Sequence, residues 1–555
     1  MDEPRQPERV QTSRLRRLLR AALSLGTSAL LIGCSASGSG SNAAAGADSQ
    51  APGEPLLQTR SGPIIGRSAA VGPDSDRTLQ TFFGIPYAAP PLGPARWAPP
   101  AKVQSWSQPR DAGAFGADCP QPLQAGVEAT HPQSEDCLTL NVWTPAADGA
   151  RRPVMVWIHG GGFRAGSGRV DGARFAREGV VFVSLNYRLG ALGFFAHPAL
   201  DEPLANFGTQ DMVAALKWVR RNITRFGGDP RNVTIFGVSA GGMAVNLLMV
   251  HPETRGLFQQ AIAQSGYAAW PLRSSRYATA PRTLGMALGR QTSAETDAMA
   301  LVRRAGASRT ASAAELRALS PAALIDALEG FQTPIVDGTS LPSEPATLFA
   351  SGRQHAVPYI TGGNSYEGSV MPYSGISLTA YEAAYGADIE TAKALYAEDW
   401  AVSRELGLSR LFGDERYLLS ARLLGGAMLS RAPAWLYYIR FVPEVMADKL
   451  PGAVHGGDAF LLFRLGPEAA GEHEQAAIEL AERMRGYWLN FARTGDPNGA
   501  SEDASASGPQ LLSWPGYEPG TDRWLVFDRS DSVMPVVLGA KLNFLTRRHA
   551  IRTAP

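Results

Sequence analysis

The sequence predicts an α/β fold in which a mostly parallel central sheet is flanked by helices and carries helical insertions. Strand-length runs of β-branched and aromatic residues alternate with helical patterns, and no internal repeat or second linker interrupts them. The apolar share of 45% and the charged share of 19% are those of an ordinary globular protein. We therefore interpret most of the 555-residue chain as one large domain.

Two buried strands are predicted in the first half of the chain. Val154–Ile158 and Val180–Leu185 are rich in β-branched and aromatic residues and show no polar alternation. Such runs are typical of strands covered on both faces of a parallel sheet. A third run, Val233–Val238, leads directly into Ser239.

Helices are predicted on either side of the third strand. The residues before it form one apolar stripe at helical spacing, made of Met212, Leu216, Val219, Ile223 and Phe226. The segment FGGDP at Phe226–Pro230 predicts a turn that ends this helix. After the strand, Met243–Val250 has the pattern of a second helix.

The N-terminus has the layout of an export signal. Four arginines between Arg14 and Arg20 precede an apolar run, Ala21–Ile32, which is too short to span a bilayer comfortably. The run ends in Leu31–Cys34, which is similar to a bacterial lipobox whose cysteine becomes lipidated. We predict a signal peptide over 1–33, a flexible Ser/Gly/Ala-rich tether over 34–55 and a catalytic domain over 56–555. A plain signal peptide with an incidental cysteine is the alternative.

This layout predicts an exported protein that lipid at Cys34 anchors to the bacterial cell envelope, on the periplasmic face or the cell surface. Lipidation would leave Cys119 and Cys137 as an even pair in an oxidising compartment, and two free thiols are the alternative. The net charge of +1 and the lack of a long basic run argue against nucleic acid as a partner. The sequence leaves the oligomeric state open.

Ser239 lies in the pattern G-x-S-x-G, at Gly237–Gly241. The pattern alone is weak evidence, but here it falls between a predicted strand and a predicted helix, where a nucleophile elbow requires it. The small flanking residues permit a sharp turn, and the helix N-terminus favours negative charge nearby. A simple strand-to-helix turn is the alternative interpretation.

A glycine loop, His159–Phe163, follows the Val154–Ile158 strand directly. Its three glycines allow the main chain to approach a ligand closely and to point N–H groups at it. A phosphate loop is the alternative, but neither the Lys-Ser/Thr of a P-loop nor the G-x-G-x-x-G spacing is present. An HGGG loop upstream of G-x-S-x-G indicates an oxyanion hole.

A base and an acid are expected after the serine, because this arrangement orders its triad as Ser, Asp/Glu, His. His455, on a loop beside glycines, is the favoured base over the three other histidines that follow at a distance, His355, His473 and His549. The sequence offers two candidates for the acid and does not decide between them. Glu367 follows a strand-like run, whereas the Asp-Gly pair at Asp337 is also typical of a simple turn.

Taken in order, these motifs resemble those of the carboxylesterase type B family, which includes the cholinesterases. The resemblance covers roughly Leu56 to the C-terminus and also includes segments away from the motifs above. These are GIPYAAPPLGPARW at Gly84–Trp97, SEDCLTLNVWTP at Ser134–Pro145, NYRLGALGF at Asn186–Phe194, FGGDPRNVTIFGVSAGG at Phe226–Gly242 and YWLNFARTGDPN at Tyr487–Asn498.

The resemblance implies the α/β-hydrolase fold and a serine carboxylesterase that needs no metal or cofactor. It implies Ser239 as nucleophile, His455 as base and Glu367, rather than Asp337, as acid. It also implies an oxyanion hole formed by the backbone N–H groups of Gly161, Gly162 and Ala240. A disulfide between Cys119 and Cys137 is implied as well. A catalytically silent adhesion or binding module of the same fold, a lipase and an amidase are the alternatives.

The chain departs from the family pattern at positions that bear on the substrate. Val238 and Met212 stand where the family often has Glu and Gln. The segment between Cys119 and Cys137 contains no Trp, which argues against choline esters, and its shortness argues against a lipase lid. We therefore expect esters with short to medium acyl chains. Trp270 is a candidate for the acyl pocket, with a packed core residue as the alternative.

Overall fold

The computed structural model describes residues 54–70, 78–123, 130–278, 293–466, 469, 471–499 and 511–553. The predicted signal peptide, Cys34 and nearly all of the predicted tether lie outside these residues. Within the described ranges, no helix combines the length and the hydropathy that crossing a bilayer requires.

Strands occur along the whole described chain. They are β1 (Leu56–Gln58), β2 (Pro63–Ile65), β3 (Arg67–Ala70), β4 (Thr78–Pro86), β5 (Arg110–Asp111), β6 (Thr139–Thr144), β7 (Arg152–Ile158), β8 (Val181–Leu185), β9 (Gly228–Val238), β10 (Gln260–Gln264), β11 (Arg273–Ser274), β12 (Ile335–Val336), β13 (Tyr359–Asn364), β14 (Ala434–Ile439), β15 (Arg523–Phe527) and β16 (Ser532–Pro535).

Helices connect the strands and form the insertions. The α-helices are α1 (Ala173–Arg177), α2 (Gly190–Gly193), α3 (Phe207–Asn222), α4 (Ala240–Val250), α5 (Ala294–Arg304), α6 (Ala313–Ala318), α7 (Pro321–Asp326), α8 (Pro345–Ala350), α9 (Leu378–Ala383), α10 (Asp388–Leu395), α11 (Ala397–Val402), α12 (Arg404–Gly413), α13 (Leu419–Met428), α14 (Gly457–Arg464), α15 (Gln475–Thr494) and α16 (Gly539–Thr553). A π-helical turn, Asp414–Leu418, joins α12 to α13.

Among the described residues, the central sheet has eleven strands in the order β16-β15-β14-β13-β10-β9-β7-β8-β6-β4-β3. The strands from β15 to β8 in this order run parallel to one another. The strands added at the two edges pair antiparallel. The predicted α/β-hydrolase fold, with a mostly parallel sheet and helical insertions, is confirmed.

Both faces of the sheet are buried, as the sequence predicts. Along β7, Val154, Val156 and Ile158 belong to one apolar cluster, whereas Met155 and Trp157 belong to a second. Helices α3 and α4 pack in the first cluster, and α15 packs in the second. The predicted stripe of α3, which continues through a short 3₁₀ turn to Phe226, is at most 1% exposed. The alternating side chains of β7 therefore fill cores on both sides of the sheet.

The predicted turn at FGGDP is only partly correct. Gly227, in the left-handed region at φ +78°, ends the 3₁₀ turn, and β9 begins at the next residue, Gly228. Gly228 pairs with Arg152 of β7, and a register shift between Arg152 and Val154 follows. Such an irregularity accommodates Pro230, which cannot donate to the sheet. The strand is therefore longer than the apolar run that predicts it.

A disulfide closes the segment that precedes β6. Cys119 and Cys137 are bonded, with their Cα atoms 5.1 Å apart and a sequence separation of 18. Both residues are at most 1% exposed. On the chain-entropy argument, closing a loop of this length stabilises the fold by about 3 kcal/mol.

Candidate active site

Ser239 is the turn residue between β9 and α4. Its backbone has φ +58° and ψ −118°, a conformation that residues with a side chain rarely adopt. A Cβ on Gly237 would lie 2.5 Å from the Ile158 carbonyl oxygen, and one on Gly241 would lie 2.0 Å from it. The two glycines therefore let the end of β7 pack directly against the turn. The sequence pattern around Ser239 has the geometry of a nucleophile elbow.

The elbow is fixed through its backbone, while its hydroxyl is left unbonded. The N–H of Ser239 donates to the Gln264 carbonyl at 2.8 Å, which ties the turn to the end of β10. Among the described residues, the Ser239 hydroxyl makes no hydrogen bond, to His455 or to any other group, and the residue is only partly buried. Val238, which stands where the family often has Glu, is 8% exposed and packs in the second apolar cluster.

The structure brings His455 and Glu367 into direct contact. The Nδ1 atom of His455 forms a short hydrogen bond with Oε2 of Glu367, and their side chains are 8% and 0% exposed. The two loops that carry them are joined by a bridge between Tyr366 and Val454. The N–H of His455 also donates to the Ser369 hydroxyl at 3.0 Å. The imidazole is therefore held on its Nδ1 side, which orients the opposite nitrogen.

The other carboxylate oxygen of Glu367 is held by three donors. Oε1 accepts hydrogen bonds from the Ser265 hydroxyl at 2.6 Å, the Asn364 N–H at 2.6 Å and the Asn364 side-chain amide at 3.1 Å. Ser265 directly follows β10 and Asn364 ends β13. Neither residue is identified from the sequence, although polar residues at the carboxyl ends of parallel strands are a known signal for a site.

The glycine loop lies against the elbow. A Cβ on Gly160 would be 2.7 Å from the Val238 carbonyl oxygen and 3.3 Å from the Ser239 Cβ. Gly161 and Gly162 have φ of +100° and +63°. In the described part of the chain, the N–H groups of Gly161, Gly162 and Ala240 donate no hydrogen bond to the protein. Three unpaired amides on the two segments beside Ser239 are suited to an anionic oxygen.

His159 holds the start of the glycine loop as an uncharged side chain. Its Nδ1 lies 2.9 Å from the Gly160 carbonyl, and its ring stacks on Tyr187 at 4.3 Å between centroids. The Tyr187 hydroxyl donates to the His159 carbonyl at 2.8 Å. Burial lowers the pKa of His159 to about 4, so the loop carries no cation near neutral pH.

The rival acid, Asp337, lies in a different environment. It is fully buried, and its two oxygens accept hydrogen bonds from Thr339, Leu341, Ser340, Asn206 and Ala205. These contacts close the turn after β12 and leave none to a histidine. Asp337 therefore has the position of a structural carboxylate.

The other candidate histidines also lie away from the elbow. His355 is buried, with its Nε2 2.9 Å from the Thr254 hydroxyl. His473 is exposed just before α15. His549 lies on α16, with its Nδ1 3.2 Å from Arg552. Burial and the Arg552 charge lower the pKa of His549 to about 4.

The sequence resemblance implies that the Gly162 N–H is an oxyanion-hole donor. On that expectation, Gly162→Ala should lower kcat by about 10²- to 10³-fold with little change in KM, the usual effect of losing such a donor. Gly162 has φ +63°, and an added Cβ would lie 2.4 Å from the Phe331 ring. The methyl group therefore forces the loop, and with it the Gly162 N–H, out of place. Steady-state kinetics with a chromogenic ester measure the effect.

Gly352→Ala is the matched control, because Gly352 has φ +70° and open space around its Cα. It imposes the same backbone strain away from the elbow, so stability can fall while kcat is retained. Equal kcat in both variants would contradict the role of the Gly162 amide.

Comparison with known protein families gives one clear match. Residues 53–544 match the model of the family described as the Carboxylesterase family. The chain is 36% identical over 468 residues to fumonisin B1 esterase of Sphingopyxis macrogoltabida, and the aligned region covers 79% of this chain and 82% of that protein. It is 33% identical over 473 residues to para-nitrobenzyl esterase of Bacillus subtilis, which covers 82% of this chain and 92% of that protein.

Solved structures show the same architecture. A para-nitrobenzyl esterase structure superposes with a TM-score of 0.70 at 30% identity, covering 88% of this chain and 99% of that chain. The Geobacillus stearothermophilus carboxylesterase Est55 superposes with a TM-score of 0.72 at 28% identity, with the same coverage.

Proposed function

The chain belongs to the carboxylesterase family and is a carboxylic ester hydrolase, and on that premise we propose that it works through a Ser239–His455–Glu367 triad and an acyl-enzyme. The observation that carries this proposal is the contact of His455 with a fully buried Glu367. In support, Ser239 directly follows β9, Glu367 follows β13, and the Tyr366–Val454 bridge joins the loop of His455 to that of Glu367. Nδ1 of His455 donates to Glu367, so Nε2 is left to accept a proton.

In the first half-reaction, the Ser239 oxygen attacks the ester carbonyl carbon while its proton passes to Nε2 of His455. The carbonyl oxygen becomes an anion that the N–H groups of Gly161, Gly162 and Ala240 stabilise. Collapse of this intermediate breaks the bond to the alcohol oxygen. The alcohol leaves with the proton from His455, and the acyl group remains on Ser239.

In the second half-reaction, water replaces the alcohol. His455 takes a proton from the water as its oxygen attacks the acyl carbon, and the same three amides stabilise the second anion. Collapse returns the proton to Ser239 and releases the acid. In both half-reactions, Glu367 orients the imidazole and stabilises its charged form.

We also propose that the preferred acyl groups are short to medium in length. Buried Trp270 and Phe412 stack edge-to-face at 5.4 Å between centroids. Phe412 lies in α12, just before the turn that carries Tyr417, whose ring is 4.6 Å from that of His455. Bulky packed rings leave little room for a long acyl chain. The short segment closed by the disulfide supports the same preference, because it does not supply a large lid.

A panel of p-nitrophenyl esters from acetate to palmitate, with p-nitrobutyranilide as the amide, tests this preference. We expect kcat/KM to be highest from acetate to octanoate and at least about 10-fold lower for palmitate and the anilide, because each added methylene in a closed pocket alters binding by about 1–3 kcal/mol. Rates that rise toward palmitate would indicate a lipase. Comparable rates for the anilide would indicate an amidase.

Finally, we propose export to the bacterial cell envelope and lipid anchoring at Cys34. The support is the basic start, the short apolar run and the lipobox-like end of the N-terminal segment. Expressed with its N-terminal segment in a bacterial host, the protein is expected in the detergent phase of a Triton X-114 partition, and the Cys34→Ser variant in the aqueous phase. Equal partition of the two would contradict lipidation. Ser35→Ala is the matched control.

A further inference from the structure

Arg416 is a buried arginine that no carboxylate of the described residues contacts. It lies in the π-helical turn between α12 and α13 and is 2% exposed. Its Nε and Nη2 atoms are buried and make no hydrogen bond within the described residues. None of the ion pairs among those residues includes Arg416. By contrast, the equally buried Arg188 is paired with Asp211 at 2.7 Å.

Aromatic rings surround the guanidinium of Arg416. Its central carbon lies 4.2 Å from the ring centre of Tyr267 and 4.8 Å from that of Trp270, with three further rings within 6 Å, those of Phe331, Phe412 and Tyr417. Ring faces attract a cation but cannot accept its N–H groups as a carboxylate does. The Tyr267 hydroxyl is buried next to the guanidinium, and burial raises the pKa of Tyr267 to about 12 although the Arg416 charge acts in the opposite direction. A phenolic oxygen can accept one N–H of the guanidinium, which leaves the Tyr267 O–H free to donate. Among the described residues, no carboxylate accepts the remaining buried N–H groups of Arg416.

This aromatic cluster borders the candidate active site on two sides. The Phe331 ring lies against Gly162, since a Cβ there would be 2.4 Å from it, and 5.8 Å from the Arg416 guanidinium. On the other side, the Tyr417 ring is 4.6 Å from the His455 ring and 5.7 Å from the guanidinium. Arg416 is therefore one contact removed from both the glycine loop and the proposed base.

We propose that Arg416 and Tyr267 bind a carboxylate of the substrate, so that the preferred esters carry a free carboxylate a short distance from the scissile bond. This inference rests on the proposed function, and it makes Arg416 a specificity-determining residue. An arginine keeps its charge in proteins, and burying that charge without a partner is costly. A substrate carboxylate would supply the missing acceptors, because its two oxygens match the planar fork of the guanidinium.

The carboxylate can belong to the acyl part or to the alcohol part of the ester. Two pairs of substrates separate these cases, each pairing an anionic ester with a neutral one of similar size. Monoethyl glutarate against ethyl pentanoate places the charge on the acyl side, and butyrylglycolate against propyl butyrate places it on the alcohol side. Acid release in a pH-stat gives kcat and KM for all four compounds.

We expect the unaltered enzyme to prefer the anionic ester in one of the two pairs by at least about 10-fold in kcat/KM. Arg416→Met should lower kcat/KM for that ester by about 10- to 100-fold, mainly through KM, because it removes charge-assisted hydrogen bonds. The neutral esters should keep their rates. Arg416→Lys, which restores the charge but not the fork, should recover part of the loss.

Arg422→Met is the matched control, since Arg422 is paired with Asp522 away from the cluster, and both kinds of ester should keep their rates. If Arg416→Met lowers kcat/KM equally for anionic and neutral esters, Arg416 has a structural role and the inference is overturned. Absence of any anionic preference in the unaltered enzyme would also overturn it.

The preference of the unaltered enzyme for anionic esters can be measured even if Arg416→Met does not fold. A further measurement is inhibition of the unaltered enzyme by free glutarate, which we expect because glutarate would make the same contacts. Lack of inhibition would count against the site. If the unaltered enzyme hydrolyses neutral esters and does not prefer anionic ones, only this inference is overturned. If hydrolysis persists in Ser239→Ala, the proposed function is overturned as well.

Discussion

Replacing Ser239 by Ala should lower kcat by about 10⁵- to 10⁶-fold, the range seen when the nucleophile of a serine hydrolase is removed. The substitution removes only the hydroxyl and retains the Cβ, so the strained backbone at φ +58° is not altered further. Since that hydroxyl makes no hydrogen bond within the described structure, the free energy of unfolding should change little. Hydrolysis of p-nitrophenyl butyrate and thermal unfolding measure the two effects.

Ser265→Ala is the matched control for this result. Ser265 also has positive φ, at +49°, and lies after β10, the neighbour of β9. Its hydroxyl donates to Glu367, so the substitution removes one charge-assisted hydrogen bond. We expect this loss to lower kcat by about 10- to 100-fold. If kcat falls no further in Ser239→Ala than in Ser265→Ala, Ser239 is not the nucleophile.

Glu367→Gln should lower kcat by about 10³- to 10⁴-fold with KM little changed. The amide is close in shape to the carboxylate, and its oxygen can still accept from Ser265 and Asn364. Its NH₂ group then faces Nδ1 of His455 and forces that nitrogen to be an acceptor. The proton moves to Nε2, where it blocks transfer from Ser239. Steady-state kinetics of an uncharged ester measure the loss.

Asp337→Asn provides the matched control, because it alters an equally buried carboxylate that touches no histidine. Here we expect lower thermal stability and a kcat within a few-fold of the unaltered enzyme. The opposite outcome, with activity lost in Asp337→Asn and kept in Glu367→Gln, would exchange the two assignments.

The fold was predictable where local pattern and burial coincide. The apolar runs at β7 and β8 and the stripe of α3 depend on residues that are neighbours in sequence, and the structure confirms them. The start of β9 was not predictable, because Gly228 to Pro230 look like a turn, whereas Gly228 pairs with Arg152 of β7 and the next residues lie in a register shift. Long-range pairing overrides the local preference there.

The candidate site was predictable in its motifs but not in its supporting contacts. The elbow and the glycine loop are short patterns with a known mechanism, whereas the sequence alone left Glu367 and Asp337 both open. Their difference lies in which side chain reaches His455, a contact across 88 residues. Arg416 was missed for the same reason, since the rings around it come from three segments that are far apart in sequence. Only the fold places them together.

The central claim is that an acyl group passes through Ser239, and trapping that acyl-enzyme tests it most directly. The enzyme would be mixed with p-nitrophenyl butyrate, quenched in acid within milliseconds and digested, and its peptides would be analysed by mass spectrometry. We predict a burst of nitrophenol with a butyryl group on the peptide that contains Ser239, and neither in Ser239→Ala. A butyryl group on another residue, or full turnover by Ser239→Ala, would contradict the account.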